Sequence, residues 1–168
     1  EQVIKLKVHE IMNTDLIKVN PDVSLSEVFN KMANSKRKEA LIVIPAQDQE
    51  KVLGIITFTD INSFIGQGVD MSQPVQNFMR RHVYFSSPDE PVKKARDYMI
   101  EKGIGSLPIW DGKKVVGVVD TVTLRDTFYK RTEELSNQLR NILDELHEGV
   151  CVVDDQGYVI FWNNSAEW

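Results

Sequence analysis

Along the first three quarters of the chain, apolar residues fall into short runs that alternate between helical and extended spacing, and the order of runs occurs twice. Leu25, Val28, Phe29 and Met32 share one helical face behind Ser24 and Glu27, whose S-x-x-E spacing is that of a capping box. Further on, Val92, Ala95 and Met99 make the same stripe behind Pro91, which is tolerated at a helix's first turn. Each stripe is preceded by a short helix ending near Met12 or Met79 and by an extended segment, residues 16–19 or 83–85. Each is followed by two β runs, residues 40–44 with 52–58 and residues 107–110 with 115–119. Asp111-Gly112 predicts a tight hairpin turn in the second pair, whereas residues 45–51 predict a longer loop in the first. A closing helix begins near Asp60 or Thr123, so both copies read helix, strand, helix, strand, strand, helix.

The register of the duplication is sharp. Val8, Met12, Pro21 and Met32 recur as Val75, Met79, Pro88 and Met99, displaced by 67 residues, and Gly54 recurs as Gly117, displaced by 63. The difference of four is assigned to the longer loop of the first copy. A unit of about 60 residues is small for independent stability, so the two copies are expected to pack together and bury their sheets in common.

From Thr123 the pattern becomes one long helix to about His147, opened by a Thr123/Asp126 cap. Phe128, Thr132, Leu135, Leu139, Ile142 and Leu146 follow a heptad seam. It suits a parallel homodimer; packing of the helix onto the chain's own domain is the alternative. A β-hairpin follows, its two apolar runs separated by Asp154 to Gly157, with Cys151 expected as a buried packing residue.

Composition narrows the function classes. The chain has 168 residues, 42% hydrophobic and 27% charged, the profile of a folded cytoplasmic protein. A net charge of -5 argues against direct nucleic-acid contact by this chain. One cysteine precludes an internal disulfide framework. No apolar stretch approaches the roughly 20 residues that span a membrane. The chain begins at Glu1 and stops at Trp168 just after a strand-like run, as a piece of a longer protein would. His9, His82 and His147 lack metal-ligand spacing, and no G-x-S-x-G, Walker or dinucleotide motif is present. The chain reads as non-catalytic, with no metal expected.

Val8-His9-Glu10-Ile11-Met12, Val75-Gln76-Asn77-Phe78-Met79, Gly103-Ile104-Gly105-Ser106-Leu107-Pro108-Ile109 and above all Gly54-Ile55-Ile56-Thr57-Phe58-Thr59-Asp60, in this order and duplicated, resemble the CBS domain, which normally occurs in pairs as a Bateman module. The resemblance implies an α+β fold of two pseudo-twofold-related units with helices packed on small mixed sheets. It places repeat 1 at residues 1–68, repeat 2 at 69–130 and a linker helix at 123–148.

It also implies an adenosyl ligand: AMP, ADP, ATP or S-adenosylmethionine. Gly54-x-x-Thr57-x-x-Asp60 resembles the nucleotide signature. A carboxylate at a helix start can accept both ribose hydroxyls, while a nearby threonine and helix N–H groups suit phosphate. The competing reading is that Asp60 caps its own helix. By position, the family's base-contacting segments fall on Thr14, Asp15 and Leu16 and on Lys38, Glu39 and Ala40, completing a first-copy site. Lys36, Arg37, Arg80 and Arg81 are the expected phosphate contacts. The second copy carries Asp120 and Thr123 where the first carries Thr57 and Asp60, so its site is expected to be degenerate.

The segment from Ile142 to Ala166 resembles the opening of a PAS domain, placed at residues 149–168 and covering its first quarter to third. A CBS pair feeding a PAS domain resembles the input half of sigma-N-dependent transcriptional regulators of bacteria. A histidine kinase or cyclic-dinucleotide enzyme input, or a ligand-free dimerisation unit, are the alternatives. A nucleotide can shift such a module only as far as it binds one arrangement better than the other.

Overall fold

The computed structural model describes residues 6–166, so the expected boundaries at residues 1 and 168 lie outside the described residues. The chain divides into two compact units, one ending at Leu124 and one beginning at Arg125.

In the first unit, Ser24 caps α1 (Leu25–Ala33) by accepting from Glu27 N at 3.1 Å, and the helix buries Leu25, Val28 and Met32. That face lies on a three-stranded sheet, β1 (Lys18–Val19), β2 (Glu39–Ala46) and β3 (Gln49–Thr57), in the order β1-β2-β3. β1 runs parallel to β2, and β3 antiparallel. The four extra residues of the first copy do not form a long loop. They lengthen both strands, because Ala46 pairs with Gln49 and only Gln47 and Asp48 turn the chain, Gln47 at φ 52. α2 (Phe58–Gly66) follows β3 directly.

The second copy repeats this plan in shorter form. α3 (Val92–Lys102) buries Val92, Ala95 and Met99 and ends on Gly103, whose φ of 63 stops the helix. β4 (Ser106–Trp110) and β5 (Val115–Asp120) form a two-stranded sheet. The strand expected over residues 83–85 is reduced to one parallel bridge, Ser86 with Ile109. The second hairpin is also looser than expected. Its loop spans four residues, 111–114, and the Asp111 carboxylate closes it by accepting from Lys113 N and Lys114 N.

The copies grip each other through equivalent pairs. Arg80 bridges Ile55 of β3, and its counterpart Asn13 bridges Val118 of β5. Lys7 likewise bridges Pro91, as Ser24 bridges Pro74. Alternation along β2 divides the core: Ala40 and Ile42 face α1 and α2, joined there by Val75 and Met79 of the other repeat. Leu41, on the opposite face, packs with Ile55, Val115 and Val118 between the repeats. Each such side chain contributes roughly 1.5–3 kcal/mol by leaving water, so neither sheet is stable bare.

α4 (Thr121–Glu145) is capped by Asp120, which accepts from Thr123 N at 2.7 Å, and not by the expected Thr123/Asp126 pair. In the second unit β6 (Cys151–Val153) pairs antiparallel with β7 (Val159–Trp162) across a turn that places Gly157 at φ 87. Asp154 holds this turn by accepting from Gln156 N and Tyr158 N. Cys151 is exposed, contrary to expectation, because this two-stranded sheet has nothing packed on that face among the described residues. Leu135, Leu139, Ile142 and Leu146 of the seam are exposed as well.

Candidate functional site

The start of α2 is built by a reciprocal exchange. Thr57, at the N-cap, accepts from Asp60 N at 3.2 Å, while Asp60 Oδ2 accepts from Thr57 N at 2.9 Å and from Thr57 Oγ1 at 2.7 Å. Asp60 therefore does cap its own helix, but through one oxygen only. The other, Oδ1, accepts from Arg80 Nη2 at 2.5 Å. Asp60 is largely buried, its side chain 16% exposed, and Arg80 is 59% exposed. Burial pushes the Asp60 pKa up, but the hydrogen bonds from the Thr57 side chain, Arg80 and the Thr57 backbone outweigh it and leave it below its ordinary value.

Two of the helix-start N–H groups expected to receive phosphate are engaged: Asp60 N by Thr57, and Phe58 N by the Lys38 carbonyl at 2.7 Å. Beside Thr57 lies a cavity of about 50 Å³. Ile55 and Thr57 form one wall, Arg80, His82, Val83 and Tyr84 a second, and Ile104, Gly105, Ser106 and Pro108 a third. The site is thus composite. The first repeat supplies the capped carboxylate, and the second supplies the approach to its first strand and the turn into β4. The turn into β4, Gly105 to Pro108, thus lies beside the first repeat's Thr57 rather than beside Thr123 of its own repeat. The bridge between Ile55 and Arg80 causes the exchange, since it lays the second repeat's segment against β3.

The residues expected beside Asp60 are scattered. Thr14 and Asp15 are exposed, following Asn13, which pairs with β5. Leu16 packs between the repeats and lines a separate groove of about 530 Å³ with Ile17, Lys18, Glu27, Asn30, Lys31 and Asn34. Lys38 places its ammonium 4.6 Å from the Phe58 ring centroid, and Ala40 is core. Lys36 is exposed, and Arg81 donates to the Gln76 carbonyl. Of the four expected phosphate contacts, Arg80 alone lines the cavity.

Glu39 is 3% exposed and opposes Thr57 in the ladder. Its Oε2 accepts from Ser106 Oγ at 3.3 Å, and its Oε1 and Arg37 Nε and Nη1 are buried without hydrogen-bond partners. Burial raises the Glu39 pKa; Arg37 opposes this, and the Asp120 charge adds to it. The mirror cleft is therefore different in kind. Thr123 stands for Asp60 and Asp120 for Thr57, and Asn13, in the place of Arg80, donates to Thr123 Oγ1 at 3.0 Å. The helix cap survives the exchange with its residues swapped, but no carboxylate is left where Asp60 stands. No group of three or more His, Cys, Asp or Glu among the described residues could hold a metal, and none of the described helices is long and apolar enough to cross a membrane.

Two α+β repeats sharing a pseudo-twofold axis, each lending strand-edge residues to the other's helix start, define a tandem module with a cleft between its halves. The CBS domain matches residues 8–66 and 75–128, and the chain belongs to that family as a tandem pair. It is 27% identical over 132 residues, 79% of its length, to an A-adding tRNA nucleotidyltransferase of Aquifex aeolicus, of which the match spans only 15%. Among solved structures it is similar to a CBS domain pair in complex with 5′-methylthioadenosine and S-adenosyl-L-methionine. That pair is 25% identical, with a TM-score of 0.64, covering 73% of this chain and 99% of that one. It shares its fold with a CBS domain protein of Pyrobaculum aerophilum complexed with AMP, at 15% identity and a TM-score of 0.63, covering 70% of this chain and 89% of that one.

Proposed function

We propose that the chain is the adenine-nucleotide-sensing input module of a bacterial signalling protein, with one working site at Thr57 and Asp60. The observation that carries this reading is a largely buried carboxylate at a helix start, bonded to Thr57 and Arg80, both of which line a cavity walled by the two repeats. Two CBS pairs of the same fold hold adenosyl ligands, AMP in one and 5′-methylthioadenosine with S-adenosylmethionine in the other. A cavity of about 50 Å³ is well below the roughly 300 Å³ at which small-molecule pockets begin, so ligand entry requires exposed side chains such as Arg80 to move. A ligand held between walls of both repeats would favour one packing of the repeats on each other and, through Asp120 and Thr123, one setting of the start of α4.

The output is placed in a sigma-N-dependent transcriptional regulator, with residues 149–168 opening a PAS domain and the Leu135, Leu139 and Ile142 seam pairing two copies. The exposed seam favours a second reading, a ligand-free dimerisation unit. Calorimetric titration with AMP, ADP and ATP separates them. The sensor reading expects saturable binding near one per chain, lost in Asp60→Ala. Wild-type protein that is folded yet binds no adenosyl compound refutes it.

A further inference from the structure

The Arg80–Asp60 pair has a feature its mirror lacks. Asp60 Oδ2 already serves two donors of Thr57, so Oδ1 is the oxygen with capacity to spare, and Arg80 covers it. The main chain of Arg80 is held against β3, since its N and O both bond Ile55, at 2.9 and 3.0 Å. Its side chain is mostly in solvent and can swing away without disturbing the core. In the mirror cleft the equivalent bond, Asn13 to Thr123, joins neutral groups.

We propose that Arg80 is an electrostatic latch on Asp60 that makes this cleft selective for phosphorylated adenosine ligands over unphosphorylated ones; this rests on the adenine-nucleotide reading above. A ribose diol reaching Asp60 needs Oδ1, so the guanidinium must leave it. With adenosine, Arg80 exchanges a carboxylate for water and the ligand bears that loss. With a 5′-phosphate, Arg80 exchanges one anion for another, and its planar fork suits phosphate geometry. Two of the helix-start amides, Phe58 N and Asp60 N, are already engaged and offer it no substitute. Of the other cations in the basic runs, Lys38 lies over the Phe58 ring and Arg81 donates to the Gln76 carbonyl, while Lys36 and Arg37 are not among the residues lining the cavity.

Titration of AMP, adenosine and S-adenosylmethionine against wild type, Arg80→Gln and Arg80→Lys tests the latch. Charge-assisted bonds of this kind imply a wild-type preference for AMP over adenosine of about tenfold or more. In Arg80→Gln the two affinities move in opposite directions: AMP weakens about tenfold and adenosine tightens several-fold. S-adenosylmethionine follows adenosine, and Arg80→Lys retains the AMP preference. A purely structural arginine would weaken every ligand, and a simple phosphate contact would leave adenosine unchanged; either result overturns the latch while leaving nucleotide sensing intact. Absence of saturable binding of all three ligands to folded wild type overturns the sensing reading and the latch with it.

Discussion

Glu39 and Ser106 are the same position of the two repeats, and they meet: the serine hydroxyl donates to the glutamate across the pseudo-twofold axis at 3.3 Å. A residue at such an axis faces its own counterpart, and two buried glutamates there would repel, so the duplication has kept one acid and one donor. Even so, burial and the nearby Asp120 hold the Glu39 pKa above its ordinary 4.5, with Arg37 opposing them. Between the unfolded and folded values the native state binds more protons, so this group's contribution to stability falls as pH rises through that window. Glu39→Gln is expected to gain stability relative to wild type as pH rises above the ordinary 4.5. Denaturant midpoints of the two proteins across that range check it, and a constant difference contradicts it.

Asp60 has the opposite sign. Its folded pKa is lowered despite burial, so its stabilisation is present above the ordinary 3.8 and is lost as pH falls through the folded value. Asp60→Asn keeps an oxygen for the Thr57 cap but loses the charge facing Arg80. At neutral pH it should unfold about 1 kcal/mol more easily, the worth of one hydrogen bond, and the deficit should close in acid. The two profiles crossing in the same protein would separate the carboxylates without any ligand.

Gly54 and Gly117 admit no side chain. A Cβ at Gly54 would lie 2.6 Å from Met79 Sδ and 2.8 Å from the Arg80 carbonyl oxygen; at Gly117 it would lie 2.5 Å from Met12 Sδ and 2.8 Å from Met12 Cγ. Gly117→Ala meets mainly a flexible thioether, whereas Gly54→Ala meets main chain as well. Both should destabilise by about 1–3 kcal/mol, as overpacking does, with Gly54→Ala the larger. Adding Met12→Ala should recover most of the Gly117→Ala loss, and adding Met79→Ala should recover only part of the other. Equal recovery in thermal melts would show that the Arg80 main chain yields.

Much of this was legible. Displacements of 67 and 63 residues gave the repeat, and the helical stripes named the buried faces of α1 and α3 correctly. The arrangement was less legible where the repeats exchange residues. No local pattern says that Arg80 lies on β3 of the other copy, so Thr57 and Asp60 were assigned base-side partners from their own repeat. The same ambiguity hid the four-residue insertion, since Gln47 and Asp48 can turn a long hairpin as readily as they sit in a loose loop. The α4 cap was missed by three residues because Asp120 and Thr123 both suit an N-cap, and only the strand end at Asp120 decides between them.

At the cleft's far side Glu50 ties three elements. Its Oε1 accepts from Lys18 Nζ at 2.8 Å and its Oε2 from Val115 N at 3.0 Å, while Lys18 also donates to the Val115 carbonyl. Removing the carboxylate strands a buried amide and leaves an ammonium of low exposure with the Val115 carbonyl but no counter-charge. Glu50→Ala should therefore cost about 2–3 kcal/mol, more than a surface ion pair would. Glu50→Gln, which keeps an acceptor for Val115 N, should cost less, and indifference of both in urea titrations would dismiss the clamp.

Asn163 does comparable work in the second unit. It is fully buried, its Nδ2 donating to the carbonyls of Leu143 at 2.7 Å and Glu148 at 3.0 Å, and its Oδ1 accepting from Val150 N at 2.7 Å. One amide thus joins the end of α4, the turn after it and the residue before β6, a combination of two donors and one acceptor that few side chains supply. Asn163→Asp matches it in size but presents carboxylate oxygens to two carbonyls, so it should be at least as damaging as Asn163→Ala. Loss of hydrogen-exchange protection at Val150 N in both variants, with the amides of β2 and β3 unaffected, is the expected outcome. Protection retained at Val150 in Asn163→Asp would mean that the β6–β7 ladder, not this amide, fixes the hairpin.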